Sequence, residues 1–84
     1  MKKPRLSAEQ RRAEIITIAV KMANENGLSS VSQRTIGPKC KDINYHGVKY
    51  HFPTKRELHD AVYASGLMTE EAVNTARDLG LIAL

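Results

Sequence analysis

The chain has 84 residues, is 42% hydrophobic and carries a net charge of +4, which describes one domain with a small core and little room for a deep substrate pocket. Its single cysteine, Cys40, excludes an intramolecular disulfide, and no apolar run approaches the ~20 residues needed to span a bilayer. The basic N-terminus is not followed by the apolar stretch of a secretory signal, so a soluble, cytoplasmic protein without membrane association is expected.

Charge is unevenly placed. Residues 1 to 56 hold twelve Lys and Arg against four acids, a balance of +8, whereas residues 57 to 84 hold Arg77 against five acids, a balance of −4. A basic block joined to an acidic one fits a chain whose first part meets a polyanion and whose last part meets protein or solvent. The alternative is a solvated charged surface.

In chain order, Met1 to Arg5 form a short basic arm without periodicity. Ser7 and Gln10 have the spacing of a capping box, and a helical pattern runs from there to Asn26 with Ile15, Ala19 and Met22 as its apolar stripe and Ile16 and Ala23 beside it. Gly27 is expected to end this helix as a left-handed cap, with Leu28 making the accompanying apolar contact. Ser32 is the best cap for a second helix through Ile36, which Gly37 and Pro38 should shorten or kink because proline cannot donate a backbone hydrogen bond. Asn44 caps a third helix reaching about Phe52, and Thr54 with Glu57 makes a capping box for a fourth, which runs to about Ser65 with Leu58, Ala61 and Val62 inward. Gly66 should stop it. Thr69 caps a fifth helix with Glu70 and Glu71 in its first turn, where the helix dipole favours acids, and with Val73, Ala76 and Leu79 as its apolar face before Gly80. No strand alternation or internal repeat is visible, and the expected fold class is all-α.

The most informative stretch is Ile43 to Leu58. Val48 and Phe52 stand four residues apart and share the face that anchors the third helix to a core, which leaves Tyr45, His46, Lys49 and Tyr50 turned away. Those side chains offer donors, flat rings and positive charge, which suit base edges and phosphates in a DNA groove.

Residues from about Ile15 to Val62 resemble the DNA-binding domain of the TetR (tetracycline-repressor) family of bacterial regulators. The matching positions are Ile15, Ala19 and Met22, then Gly27, then Ser32, Arg34 and Ile36, and then the stretch Asn44 to Leu58, where Tyr50-His51-Phe52-Pro53-Thr54-Lys55 is closest. The chain departs from the family in the Cys40-Lys41-Asp42 turn, in Lys49 where the family usually has Tyr, and in Gly37-Pro38 within helix two. These 84 residues contain no counterpart of the larger helical domain that in the family binds a small effector and forms the dimer. The resemblance implies a helix-turn-helix three-helix core with one or two further helices: residues 1–66 as a DNA-binding domain with a basic arm, and residues 67–84 as a C-terminal helix and tail suited to dimerisation.

On that reading Arg34, Tyr45, His46 and Lys49 contact base edges. Arg34 offers the fork that matches guanine O6 and N7, and the alternative is a solvated surface arginine. Ser32, Gln33, Gly47, Tyr50, His51, Thr54 and Lys55 fall on the phosphate side. For Gly47 the alternative is a local softening of the helix, and for Tyr50 it is partial core packing. The arm residues Lys2, Lys3 and Arg5 either reach a minor groove or neighbouring phosphate, or are simply disordered. Leu67, Val73, Leu79, Leu81, Ile82 and Leu84 exceed what a small core needs and are assigned to a dimer contact.

Cys40 reads as a packing residue. Cys40, His46, His51 and His59 lack paired zinc-ligand spacing, so no metal is expected. There is no Gly-rich phosphate loop and no nucleophile, base and oxyanion-hole set, so neither an enzyme nor a cofactor is expected. His59 and Asp60 near some serines are all that an enzyme reading would have. The expectation is a small repressor that binds double-stranded DNA as a homodimer on an inverted repeat, without a small-molecule effector. A DNA-binding adaptor for replication, partition or packaging is the first alternative, and a protein-interaction module with a basic face is the second.

Overall fold

A computed structural model describes residues 7–40 and 43–82. Among these the fold is all-helical: α1 (Ala8–Asn26), α2 (Gln33–Ile36), α3 (Tyr45–His51), α4 (Lys55–Ala64) and α5 (Glu70–Asp78), with 3-10 turns at Leu28–Ser30 and Gly37–Lys39. The arm residues Lys2, Lys3 and Arg5 and the tail residue Leu84 lie outside the described residues, as do Lys41 and Asp42.

Each α-helix begins at the polar residue that its sequence singles out. Ser7 accepts from Gln10 N at 3.1 Å while its own N–H donates to Gln10 Oε1 at 2.8 Å, closing the box that starts α1. Asn44 Oδ1 accepts from Gly47 N, Thr54 Oγ1 from Glu57 N, and Thr69 Oγ1 from Ala72 N, at 2.9, 3.1 and 3.2 Å. Such caps satisfy first-turn donors that have no intrahelical partner, and each contributes about 1 kcal/mol. Ser32 makes its box with Thr35, whose hydroxyl accepts from Ser32 N at 2.9 Å. In the expectation Thr35 had no such part.

The short second helix is confirmed. Backbone after Ile36 tightens into the 3-10 turn, and Pro38 sits at its first positions, where a missing N–H costs nothing. α5 ends in a Schellman motif, with Leu81 N donating to Ala76 O and Gly80 N to Arg77 O, both at 2.9 Å, and with Gly80 at φ +73°. Gly66, also at φ +73°, follows α4. Gly27 differs from the expected left-handed cap. Its φ is +90° but its ψ is 152°, an extended mirror-image conformation that only glycine adopts readily, and it throws Leu28 directly into the core.

The core runs from α1 (Ile15, Ala19, Val20, Met22, Ala23) through Leu28, Val31, Ile36 and Ile43 to Val48, Phe52, Leu58 and Val62. Ala76 and Ile82 belong to the same cluster, so α5 and the residues after it close over α1 rather than standing apart. The expected inward face of α5 is rotated: Ala72 and Ala76 are buried and Val73 is half-buried, whereas Leu79 is 57% exposed. Asn24 ties this end down. Its Nδ2 donates to Leu67 O at 3.2 Å and its Oδ1 accepts from Thr69 N at 2.8 Å, so one amide on α1 holds the α4–α5 connection at its middle and at the cap of α5.

Candidate nucleic-acid interface

Packing of α3 determines what it can present. Val48 is fully buried and Phe52 nearly so, which fixes one stripe of this seven-residue helix inward. His46, Lys49 and Tyr50 are exposed on the remaining surface and Tyr45 is half-buried at its edge. Tyr50 is 81% exposed, which removes core packing as the account of that residue.

The four residues expected to meet base edges come together around one ring. Arg34 Cζ lies 5.4 Å from the centroid of Tyr45 and Lys49 Nζ lies 6.0 Å from it, so two cations rest near a single aromatic side chain. His46 meets the same ring edge-on, with centroids 5.3 Å apart and an interplanar angle of 66°. Cation–π contact at exposed sites stabilises by about 0.5–1 kcal/mol, enough to bias where two long side chains rest.

This cluster depends on how closely α2 approaches α3. A Cβ placed on Gly37 would lie 2.9 Å from both N and Cα of Tyr45, so the backbone of the second helix's end touches the backbone of the third helix's start. Only hydrogen fits there. Gln33 closes the other end of the pair, donating from Nε2 to Phe52 O at 2.8 Å.

The residues assigned to phosphates are divided. Tyr50 and Lys55 are exposed, and His51 is half-buried with its ring edge-on to Tyr50 at 5.3 Å. Ser32 and Thr54 are engaged through their hydroxyls in capping, and Gln33 through its amide in the bond to Phe52 O. Each keeps hydrogen-bonding capacity beyond those contacts. Gly47 has a packing reason of its own, since a Cβ there would fall 2.5 Å from Cγ2 of buried Ile43.

Of the six residues assigned to a dimer contact, Leu67 and Leu79 are 64% and 57% exposed. Ile82 is buried in the chain's own core, and Val73 and Leu81 pack against that core.

Three residues acquire roles that sequence reasoning missed. His59 is 3% exposed and its Nε2 lies 2.7 Å from Val31 O, so the ring carries its proton on Nε2 and donates it to that carbonyl. Arg12 on α1 places its guanidinium 4.5 Å over the Phe52 ring, beside His51. Asn24 makes the two bonds described above. Only Arg12 carried a visible signal, as a cation inside the basic half of the chain.

Cys40 packs against the core, and burial pushes its thiol above its ordinary pKa, with the charge of Glu14 adding to the shift. Among the described residues no group of three His, Cys, Asp or Glu side chains is placed to hold a metal ion, and no helix is long and apolar enough to cross a membrane. Compared with protein-family models, curated proteins and solved structures, the chain matches none.

Proposed function

We infer that the protein binds double-stranded DNA sequence-specifically, with α2, the following turn and α3 acting as a helix-turn-helix unit and α3 entering the major groove. The observation that carries the reading is the cluster in which Arg34 of α2 joins Tyr45, His46 and Lys49 of α3, a helix whose other side is locked by Val48 and Phe52. A short helix with an aromatic and basic outer face can present donors to base edges, while Tyr50, His51 and Lys55 lie beside it for the phosphates. The resemblance of the 50–55 stretch to the TetR signature points the same way. Binding, not catalysis, is the activity proposed.

The regulatory form of this reading is a transcriptional repressor that occupies an inverted repeat as a homodimer and excludes polymerase from a promoter. One such unit buries too little surface for high specificity, and two-fold pairing gains it by reading two half-sites. Among the described residues of the C-terminal segment, Leu67 and Leu79 are exposed and available for that pairing. Control would then come from protein concentration, turnover or a partner protein rather than a small effector, and the site of action would be the nucleoid.

Selection of bound sequences from random DNA, followed by footprinting on native DNA, tests the proposal. A repressor protects an inverted repeat overlapping a promoter. Protection of an origin or packaging site would replace repression by an adaptor role, and no protection would leave a protein-interaction module with a basic face.

A further inference from the structure

Beside the Arg34–Tyr45 pair lies an open notch of about 380 Å³ lined by Arg34, Gly37, Pro38, Asn44 and Tyr45. Its wall is mostly hydrocarbon, unlike three other surface grooves, which are lined about equally by polar and apolar atoms. Gly37 lets the start of α3 come close to the end of α2 at this point, and Pro38, exposed on the 3-10 turn, forms part of the notch wall. The Asn44 side-chain oxygen is committed to capping Gly47 N. An apolar recess thus sits beside Arg34, whose guanidinium lies 5.4 Å from the centroid of the Tyr45 ring.

We propose that this notch receives the C5 methyl of a thymine neighbouring the guanine held by Arg34, so that the two contacts together read a thymine–guanine step. The inference rests on the DNA-binding reading above and adds a second base to it. Two observations select the occupant. The cations Arg34 and Lys49, both close to the Tyr45 ring, favour a polyanion at this face. Among the groups that base pairs display in the major groove, the thymine methyl is the apolar one; the others are donors or acceptors that would lose their hydration in a hydrocarbon recess without gaining a partner. Cytosine at that position would lack the methyl, and adenine would bring an amino group to the same wall.

The test uses the full chain and a duplex selected from random DNA. Each thymine of the selected site is replaced in turn by deoxyuridine, which removes only the methyl, and then by 5-bromodeoxyuridine, whose bromine occupies the methyl's place. At the thymine beside the Arg34-dependent guanine, deoxyuridine should weaken binding about fourfold per half-site, the value expected for one buried methyl group, and 5-bromodeoxyuridine should restore it. Pro38→Ser should abolish the difference between thymine and deoxyuridine at that position and nowhere else. A selected site bound equally well with every thymine replaced overturns the notch while leaving DNA reading intact. So does a site without thymine beside the guanine, or a deoxyuridine loss that 5-bromodeoxyuridine does not rescue, since that loss would belong to DNA flexibility. If selection yields no preferred sequence, the DNA-binding reading itself fails and the notch with it.

Discussion

Replacing Gly37 by alanine sets two opposed effects against each other, and the structure decides the sign. Gly37 has ordinary right-handed helical angles, φ −48° and ψ −53°, so alanine could adopt them without strain. On backbone grounds alone the change would stabilise the fold by about 0.4–1 kcal/mol, by narrowing the unfolded ensemble. Against this, the new methyl would stand 2.9 Å from Tyr45 N and Cα and 3.3 Å from Tyr45 Cβ. Two of those atoms are backbone, so relief requires moving α2 away from α3 rather than turning a side chain. Overpacking of this kind costs typically 1–3 kcal/mol, leaving a net loss of roughly 1–2 kcal/mol. For a domain of this size that lowers Tm by roughly 5–15 °C. Urea denaturation followed by circular dichroism measures the loss. Gly66→Ala is the control, because its φ of +73° strains alanine but nothing lies within 4 Å of the new methyl. Both variants should lose stability, but only Gly37→Ala should also displace Tyr45 and weaken DNA binding at temperatures where it remains folded. A Gly37→Ala protein more stable than the parent would refute the close approach of the two helices.

Three further outcomes are expected. His59→Ala should destabilise by about 2–4 kcal/mol, since it leaves Val31 O unpaired and empties a buried volume, whereas His59→Gln should lose less; a loss under about 0.5 kcal/mol in urea titrations would contradict the buried bond. Cys40 should react with iodoacetamide more slowly than a free cysteine at mildly alkaline pH, because burial and the charge of Glu14 raise its pKa, and it should react at the ordinary rate in urea. Since the folded state holds that proton more tightly, stability should fall as pH rises above the unfolded thiol's pKa, and an equal alkylation rate in both states would refute the shift. Leu67→Glu with Leu79→Glu should convert a dimer to a monomer in sedimentation while the circular dichroism of the folded chain is unchanged and its Tm no longer depends on protein concentration, because both side chains are exposed; deleting residues 67–84 would instead remove Ala76 and Ile82 from the core.

What could be read in advance was local. Ser7 with Gln10, Asn44, Thr54 and Thr69 announce helix starts because a cap and its target lie three residues apart, and Gly37-Pro38 announces the break in α2 for an equally local reason. The inward pair Val48 and Phe52 follows from helical spacing, and with it the outward set on α3. What stayed hidden depends on pairs that are distant in the chain. Asn24 meets residues 43 and 45 positions away, and His59 meets Val31 28 positions away. A histidine beside an aspartate gives no hint that its partner is a backbone carbonyl. The apolar surplus at the C-terminus misled for the same reason. Ile82, Val73 and Leu81 fill the chain's own core because α5 folds back over α1, and only the three-dimensional path shows that, among the described residues, Leu67 and Leu79 remain exposed.

The claim that Arg34 of α2 and the outer face of α3 read bases while neighbouring residues hold phosphates is tested most directly by titrating Arg34→Ala and Lys55→Ala on a selected operator and a scrambled duplex at several salt concentrations. Arg34→Ala should weaken operator binding by roughly 1–3 kcal/mol per half-site, relax the preference at one base pair and leave binding to scrambled DNA largely unchanged. Lys55→Ala should weaken both duplexes about equally and reduce the slope of log K against log salt by about one per half-site. If Lys55→Ala changes base preference while Arg34→Ala changes only the salt slope, the assignment of the two faces is wrong; if the parent protein binds both duplexes alike, the protein does not read sequence at all.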